Sequence, residues 1–425
     1  MKKNFHLQLF VLAVVFLQAS VLFAQELVHA APESAGCSAE RLARLTATLE
    51  NYVNQEKLPG TVTLIARGGK IIYFDATGSR DIERGIPMEK NSIFRIASQT
   101  KALVSVGVMM LQEEGKLLIS DPVGKYIAAF NTTTVAVPGE DGSYTIEDAN
   151  RPITIRDLLT HTSGIGYGQG IAADLWEKAG IQGWYFADRE EPILETVTRM
   201  ASLPFDAQPG DQFVYGYNTD ILGAIIEIVS GEPLDEFLKH HIFDPLGMHD
   251  TFFYLPEEKN DRLTVVYSAA KDGLERAPDP GGMVGQGHYA KGPRTSFSGG
   301  AGCLSTAMDY STFLQMLLNK GTYNGKRILS PKSVELMTVN HIGSDKFPWE
   351  AGTGFGLGFS ILEDLGARGR LGTEGSFGWG GAYHSSYWVD PAEELVVVYF
   401  TQLIPASGLD DHDKVRTLIY QALTE

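Results

Sequence analysis

The chain has 425 residues, 44% of them hydrophobic and 20% charged, ordinary proportions for a globular protein. Its length accommodates about two or three domains and a core that needs neither disulfides nor metals. A formal net charge of −17 argues against nucleic acid or an anionic membrane surface as a partner.

At the start, Lys2 and Lys3 precede an apolar run from Leu9 to Leu17, and Ala19, Ser20 and Ala24 follow. A positive beginning, a short apolar centre and a small-residue exit form the pattern of a secretory signal over residues 1–24. An exported protein, periplasmic or secreted, is expected. The run is too short to span a bilayer comfortably, and no Cys follows closely enough to carry a lipid anchor. Cys37 and Cys303 both lie in apolar local patterns, where cysteine serves as a small buried hydrophobe, so two free thiols are expected.

From Ala39 to Asn54 the spacing is helical, with Leu42, Leu45, Leu49 and Val53 on one stripe and Ser38 as N-cap. Two strand-like runs follow, Thr61 to Ala66 and Lys70 to Asp75, joined by a hairpin signal at Gly68 and Gly69. A helix opens at Ser98 and runs to Glu114, with Gly115 as its stop. The middle mixes short helices (Arg156 to Leu159, Thr219 to Ser230, Leu234 to His240) with loops punctuated by Gly and Pro. Strand patterns return at Gly356 to Leu362, Ser385 to Val389 and Glu394 to Thr401, and an amphipathic helix from Asp411 to Leu423 closes the chain. This order predicts a discontinuous α/β (α+β) domain, residues 25–118 and 296–425, with a mostly helical region inserted at 119–295. No G-x-S-x-G elbow, H-E-x-x-H or glycine-rich nucleotide loop occurs.

Chemistry concentrates in three places. The first is S-x-x-K at Ser98 and Lys101. The motif is weak alone, since Ser268 and Lys271 match it too, but those lie in a stretch of loop composition. Ser98 instead leads an apolar helical run, where a residue three positions on shares its face. A serine hydroxyl is a poor nucleophile until a neighbour takes its proton, and burial at the positive end of a helix favours the uncharged amine that could do so. The second place is Tyr215, in a loop entering a helix, where a phenol can point into a cleft and handle protons. The third is Trp379-Gly380-Gly381-Ala382 before a strand, where glycines let a substrate approach the backbone and a main-chain N–H can meet an oxyanion.

Together these segments resemble the family of class C β-lactamases, family VIII carboxylesterases and D,D-peptidases. Further landmarks are Leu158 to Gly164 (with His161), Pro209-Gly210, Asp244 to Met248, and Ser298 to Gly302 with Ser305-Thr306. The resemblance implies an antiparallel sheet flanked by helices and an acyl-enzyme on Ser98. Lys101 and Tyr215 would share the base role, and the oxyanion would sit between the main-chain N–H groups of Ser98 and Ala382. It implies no metal and no organic cofactor, and a small-molecule ester or amide as substrate.

Two departures point to the esterase branch. Tyr217 stands where the lactamases and peptidases usually carry the asparagine of Tyr-x-Asn, with Asn218 one residue late. Trp379 with Gly380 and Gly381 replaces their Lys/His-Thr/Ser-Gly. An indole in place of an ammonium loses charge-assisted recognition of a carboxylate and suits a neutral ester with a short acyl chain. Tyr217, Trp379, Gly380, Gly381 and His384 are the expected substrate-binding residues, with His384 and Tyr383 narrowing that region. The alternatives are a β-lactamase or D,D-peptidase, and a non-catalytic ligand-binding protein on the same fold.

Overall fold

The computed structural model describes residues 26–343, 345–406 and 408–424. The signal pattern of residues 1–24 lies outside the described residues. Among these, no helix is long and apolar enough to cross a membrane.

The principal elements, in chain order, are β1 (Val28–His29), α1 (Ala39–Asn54), β2 (Gly60–Arg67), β3 (Lys70–Asp81) and β4 (Ile86–Pro87). Then come α2 (Thr100–Glu113), α3 (Asn218–Ser230), α4 (Ala307–Leu318), β5 (Thr353–Phe355) and β6 (Ser360–Leu362). The chain finishes with β7 (Phe377–Gly381), β8 (Ser385–Asp390), β9 (Leu395–Phe400) and α5 (Asp411–Tyr420). The strands form one nine-stranded sheet in the order β1-β3-β2-β9-β8-β7-β6-β5, with β4 paired to β3. Every pairing is antiparallel except β1 with β3. Chain start and chain end therefore meet at the centre, where Val62 to Arg67 pair with Phe400 to Leu395.

Helices cover both faces of this sheet, and β9 shows why the chain can be buried so completely there. Alternate residues point to opposite faces. Leu395, Val397 and Tyr399 join Leu42, Leu45 and Leu49 of α1 and Val415 and Ile419 of α5. Val396, Val398 and Phe400 face the larger core that includes α2 and α4. The α1 stripe is Leu42, Leu45, Leu49 and Tyr52; Val53, expected on it, is only half-buried and packs beside Leu58. Ser38 caps α1 by accepting from the Arg41 N–H at 3.3 Å, a cap worth about 1 kcal/mol.

Between α2 and α4 lie short helices, among them Ile155–Leu159, Ile193–Met200 and α3, and two hairpins, Thr134–Pro138 with Tyr144–Asp148 and Tyr267–Ala270 with Gly273–Arg276. Leu234–Leu238 runs on into a wider π turn, Lys239–Phe243. Of the strand expected over 356–362 only the end forms, as β6; residues 356–359 are the turn by which the chain comes back from β5, with Gly358 at φ +97°. Cys37 and Cys303 are buried free thiols.

Candidate active site

Ser98 sits where Phe94–Arg95 hands over to α2. The α-helix starts at Thr100, so Ser98 lies in a preceding 3-10 turn, Ala97–Gln99, and not within the α-helix that the sequence pattern suggests. The three-residue spacing still brings the side chains together, with Lys101 Nζ 3.3 Å from Ser98 Oγ. Ala97 has φ of +44°, a left-handed conformation that costs a residue with a β-carbon about 1–3 kcal/mol. Surrounding bonds hold the turn in place. The Tyr310 hydroxyl donates to the Gln99 carbonyl at 2.8 Å, the Gln99 amide donates to Ser385 Oγ at 2.9 Å, and the Cys303 N–H donates to Thr100 Oγ1 at 3.0 Å.

Lys101 is almost wholly buried. Its amine contacts three oxygens: Ser98 Oγ, the Gly300 carbonyl at 2.8 Å and the Tyr167 hydroxyl at 3.1 Å. Asp220, on α3, organises the loop that supplies the carbonyl. It accepts from Ser298 Oγ at 2.6 Å and from the Gly300 N–H at 3.0 Å. Burial pushes the Asp220 carboxyl up, against the pull of the Ser298 hydroxyl and the Lys101 charge.

Tyr215 closes over the pair from another loop. The Lys101 amine lies 4.5 Å from the centre of the Tyr215 ring, within cation–π range. The loop is anchored to the segment that carries His161: the Val214 N–H donates to the His161 carbonyl and the Gly210 N–H to the Thr162 carbonyl, both at 2.7 Å. The His161 ring packs 4.8 Å from Tyr215. Burial, reinforced by Lys101, pushes His161 well below its ordinary value and keeps the ring neutral. Asn218 fastens these loops internally, donating to His161 Nδ1 at 2.9 Å and accepting from Ser163 Oγ. It contacts protein and not the cleft.

Tyr217 is a correction. Its ring is fully buried, stacked on Trp176 at 5.8 Å and edge-on to Tyr167 at 5.0 Å, so it supports Tyr167 from behind and lines no cleft. The chain turns at Gly216 and Tyr217 to enter α3, so the tyrosine facing substrate space is Tyr215.

A cleft of about 670 Å³ opens between these groups and the edge of the sheet, lined by Ser98, Tyr167, Tyr215, Trp379, Ala382 and His384 among others. Trp379 donates its indole N–H to the Tyr215 hydroxyl at 3.1 Å. Its ring packs against Trp349 and Phe355, with centroids 5.6 and 5.2 Å apart. Gly380 and Gly381 also line the cleft, and β7 runs against the Ser98 turn. His384 lies in the turn after β7, bonded to Asp411 Oδ1 at 2.8 Å.

A family profile described as Beta-lactamase matches residues 45–421. The chain belongs to the beta-lactamase family. It is a serine hydrolase of the beta-lactamase fold. Esterase EstB of Burkholderia gladioli is 32% identical over 378 residues, covering 86% of this chain and 91% of that protein. Protein Rv1367c of Mycobacterium tuberculosis (strain ATCC 25618 / H37Rv) is 32% identical over 374 residues, 86% of this chain and 90% of that protein. Among solved structures, EstCE1, a hydrolase with promiscuous acyltransferase activity, superimposes with a TM-score of 0.79 at 29% identity, over 90% of this chain and 99% of that one.

Within this beta-lactamase-family site, Tyr167 is the residue that sequence reasoning missed. It lies 66 residues from Lys101 in a glycine-rich loop, where no periodicity marks a side chain as inward. Its position three residues after the Leu158 to Gly164 landmark was the available signal. The competing S-x-x-K at Ser268 falls in a hairpin strand, where Ser268 Oγ donates to the Ile404 carbonyl at 2.7 Å.

Proposed function

We propose that this serine hydrolase cleaves carboxylic esters through an acyl-enzyme on Ser98. The observation that carries the reading is the Lys101 amine, set against Ser98 Oγ beside a cleft in which the indole of Trp379 faces the Tyr215 hydroxyl. The Gly300 carbonyl can only accept, which fixes one N–H of Lys101. In its neutral form the amine donates a second N–H to Tyr167 and turns its lone pair toward the Ser98 hydroxyl. That arrangement suits a general base.

Ser98 Oγ attacks the ester carbonyl as its proton passes to Lys101. The tetrahedral oxyanion is held by the main-chain N–H groups of Ser98 and Ala382, donors that act strongly in a site screened from water. Tyr215, whose oxygen accepts the Trp379 N–H at 3.1 Å, gives its proton to the leaving alcohol. Water then attacks the acyl-enzyme, giving its proton to the Tyr215 oxygen, and Lys101 returns the proton it took to Ser98 Oγ as the acyl bond breaks. Trp379, Gly380 and Gly381 form the wall for a neutral, short acyl group, and His384 bounds its far side.

The same reading takes residues 25–118 and 296–425 as one discontinuous unit with 119–295 inserted, and takes the protein to be exported. Likeness to Esterase EstB supports ester over β-lactam as substrate, and likeness to EstCE1, a hydrolase with promiscuous acyltransferase activity, supports acyl transfer as a second outcome of the shared first step. An ester panel with p-nitrophenyl butyrate, beside nitrocefin, on wild type and Ser98→Ala tests the proposal. Faster turnover of nitrocefin than of the butyrate would reverse the substrate assignment.

A further inference from the structure

One cluster in the cleft wall makes or breaks no bond and moves no proton in this ester chemistry. His384 stands in the turn from β7 to β8, and Asp411 and His412 open α5; both imidazoles reach the cleft that Ser98 lines. Asp411 is fully buried with both oxygens engaged, Oδ1 by His384 Nε2 at 2.8 Å and Oδ2 by the Tyr399 hydroxyl at 2.7 Å. Burial pushes its carboxyl up, but His384, His412 and Tyr399 outweigh that and hold it below the ordinary value, as a carboxylate. The two imidazoles stack with centroids 4.2 Å apart, and His412 Nε2 lies 3.2 Å from the His384 carbonyl oxygen. One donor atom from each of the three residues falls within 4.8 Å of the other two. His384 achieves this with φ of +63°, a costly backbone conformation for a residue with a β-carbon.

We propose that His384, Asp411 and His412 bind a divalent transition-metal ion, with zinc the best chemical match. Two imidazoles and one carboxylate are the donor set that zinc favours, whereas calcium and magnesium prefer oxygen alone. The outer partners that orient such ligands are already in place: Tyr399 on the carboxylate, and a backbone carbonyl on His412. In the structure the rings are stacked and His384 is bonded to Asp411. Binding therefore opens that hydrogen bond and turns the His384 ring out of the stack. The Nε2 proton is relocated to Nδ1 of the same ring, leaving a neutral ligand. Three protein ligands leave a coordination position open toward the cleft.

Titration of the purified, chelator-treated protein with Co²⁺, followed by visible absorption and competed with Zn²⁺, tests this. One equivalent of Co²⁺ with the intense bands of a low-coordinate site is expected, displaced by Zn²⁺. His384→Ala and His412→Ala should each weaken binding about tenfold or more while keeping the wild-type circular dichroism spectrum, and Ser98→Ala should bind as wild type. Failure to take up one equivalent, or uptake unchanged in the double variant His384→Ala/His412→Ala, would overturn the assignment.

Discussion

The Trp379 indole N–H points at the Tyr215 hydroxyl oxygen across 3.1 Å, so a residue of the cleft wall also touches the phenol. In the proposed mechanism Tyr215 moves a proton and Trp379 supports it. Tyr215→Phe should therefore lower kcat by about 10²- to 10⁴-fold, the range for loss of a general acid–base group. Trp379→Phe keeps the apolar wall and loses one hydrogen bond of about 1–1.5 kcal/mol, for a decrease near tenfold. Steady-state turnover of p-nitrophenyl butyrate measures both. A larger loss in the tryptophan variant would reverse the roles.

Tyr167 offers a second test of the same network. Its hydroxyl is 3.1 Å from Lys101 Nζ, and its ring is braced by Tyr217. Tyr167→Phe keeps the ring and removes only the amine's second acceptor, so kcat should fall by about one to two orders of magnitude, equivalent to about 1.4–2.7 kcal/mol. The melting temperature should stay near that of the wild type. Wild-type kcat in this variant would remove Tyr167 from the proton network.

Gly381 tests how closely β7 must approach the Ser98 turn. A β-carbon there would lie 2.5 Å from the Ile96 carbonyl oxygen and 2.8 Å from Ser385 Oγ. Gly381→Ala must push the strand away from the turn, at a packing cost of about 1–3 kcal/mol. A fall in kcat of tenfold or more is expected, together with a lower denaturation midpoint. Unchanged kinetics would show that the strand edge does not set the oxyanion geometry.

Asp309, in the first turn of α4, supplies a pH dependence unrelated to catalysis. Burial pushes its carboxyl up to about 6, although the Asp250 N–H and the Thr251 hydroxyl both donate to it. Between its ordinary value and about 6, the folded protein holds a proton that the unfolded chain releases. Its contribution to stability therefore falls as pH rises through that window and is level above it. Two pKa units correspond to about 3 kcal/mol. Denaturation of wild type and Asp309→Asn at pH 4 and pH 7 should show the wild type losing up to about that much relative to the variant on going to the higher pH. A difference that does not change with pH would contradict the assignment.

The parts of this molecule with a strong period were legible in the sequence. Leu42, Leu45 and Leu49 identify the buried face of α1, and the apolar run of β9 marks a strand covered on both sides. Even there the last position of the stripe went to Tyr52, whose long ring reaches the core while Val53 stays half-exposed. Loops gave less. Nothing local distinguishes Tyr215, which faces the cleft, from Tyr217, which is buried two residues on, because a loop has no fixed side-chain period. His384 and Asp411 lie 27 residues apart and meet only once β7, β8 and α5 are assembled. Ser98 and Lys101 were readable because their relationship is a single turn of chain; the partners of Lys101 were not, since Tyr167 and Gly300 arrive from distant loops.

The central claim is that Ser98 carries the acyl group. Brief exposure of the wild type to an activated phosphonate ester, followed by intact-mass and peptide mass spectrometry, examines it directly. One adduct per chain, located on Ser98, is predicted, and Ser98→Ala should show neither adduct nor ester turnover while its circular dichroism spectrum is retained. Labelling at a different residue, or wild-type turnover by Ser98→Ala, would contradict it.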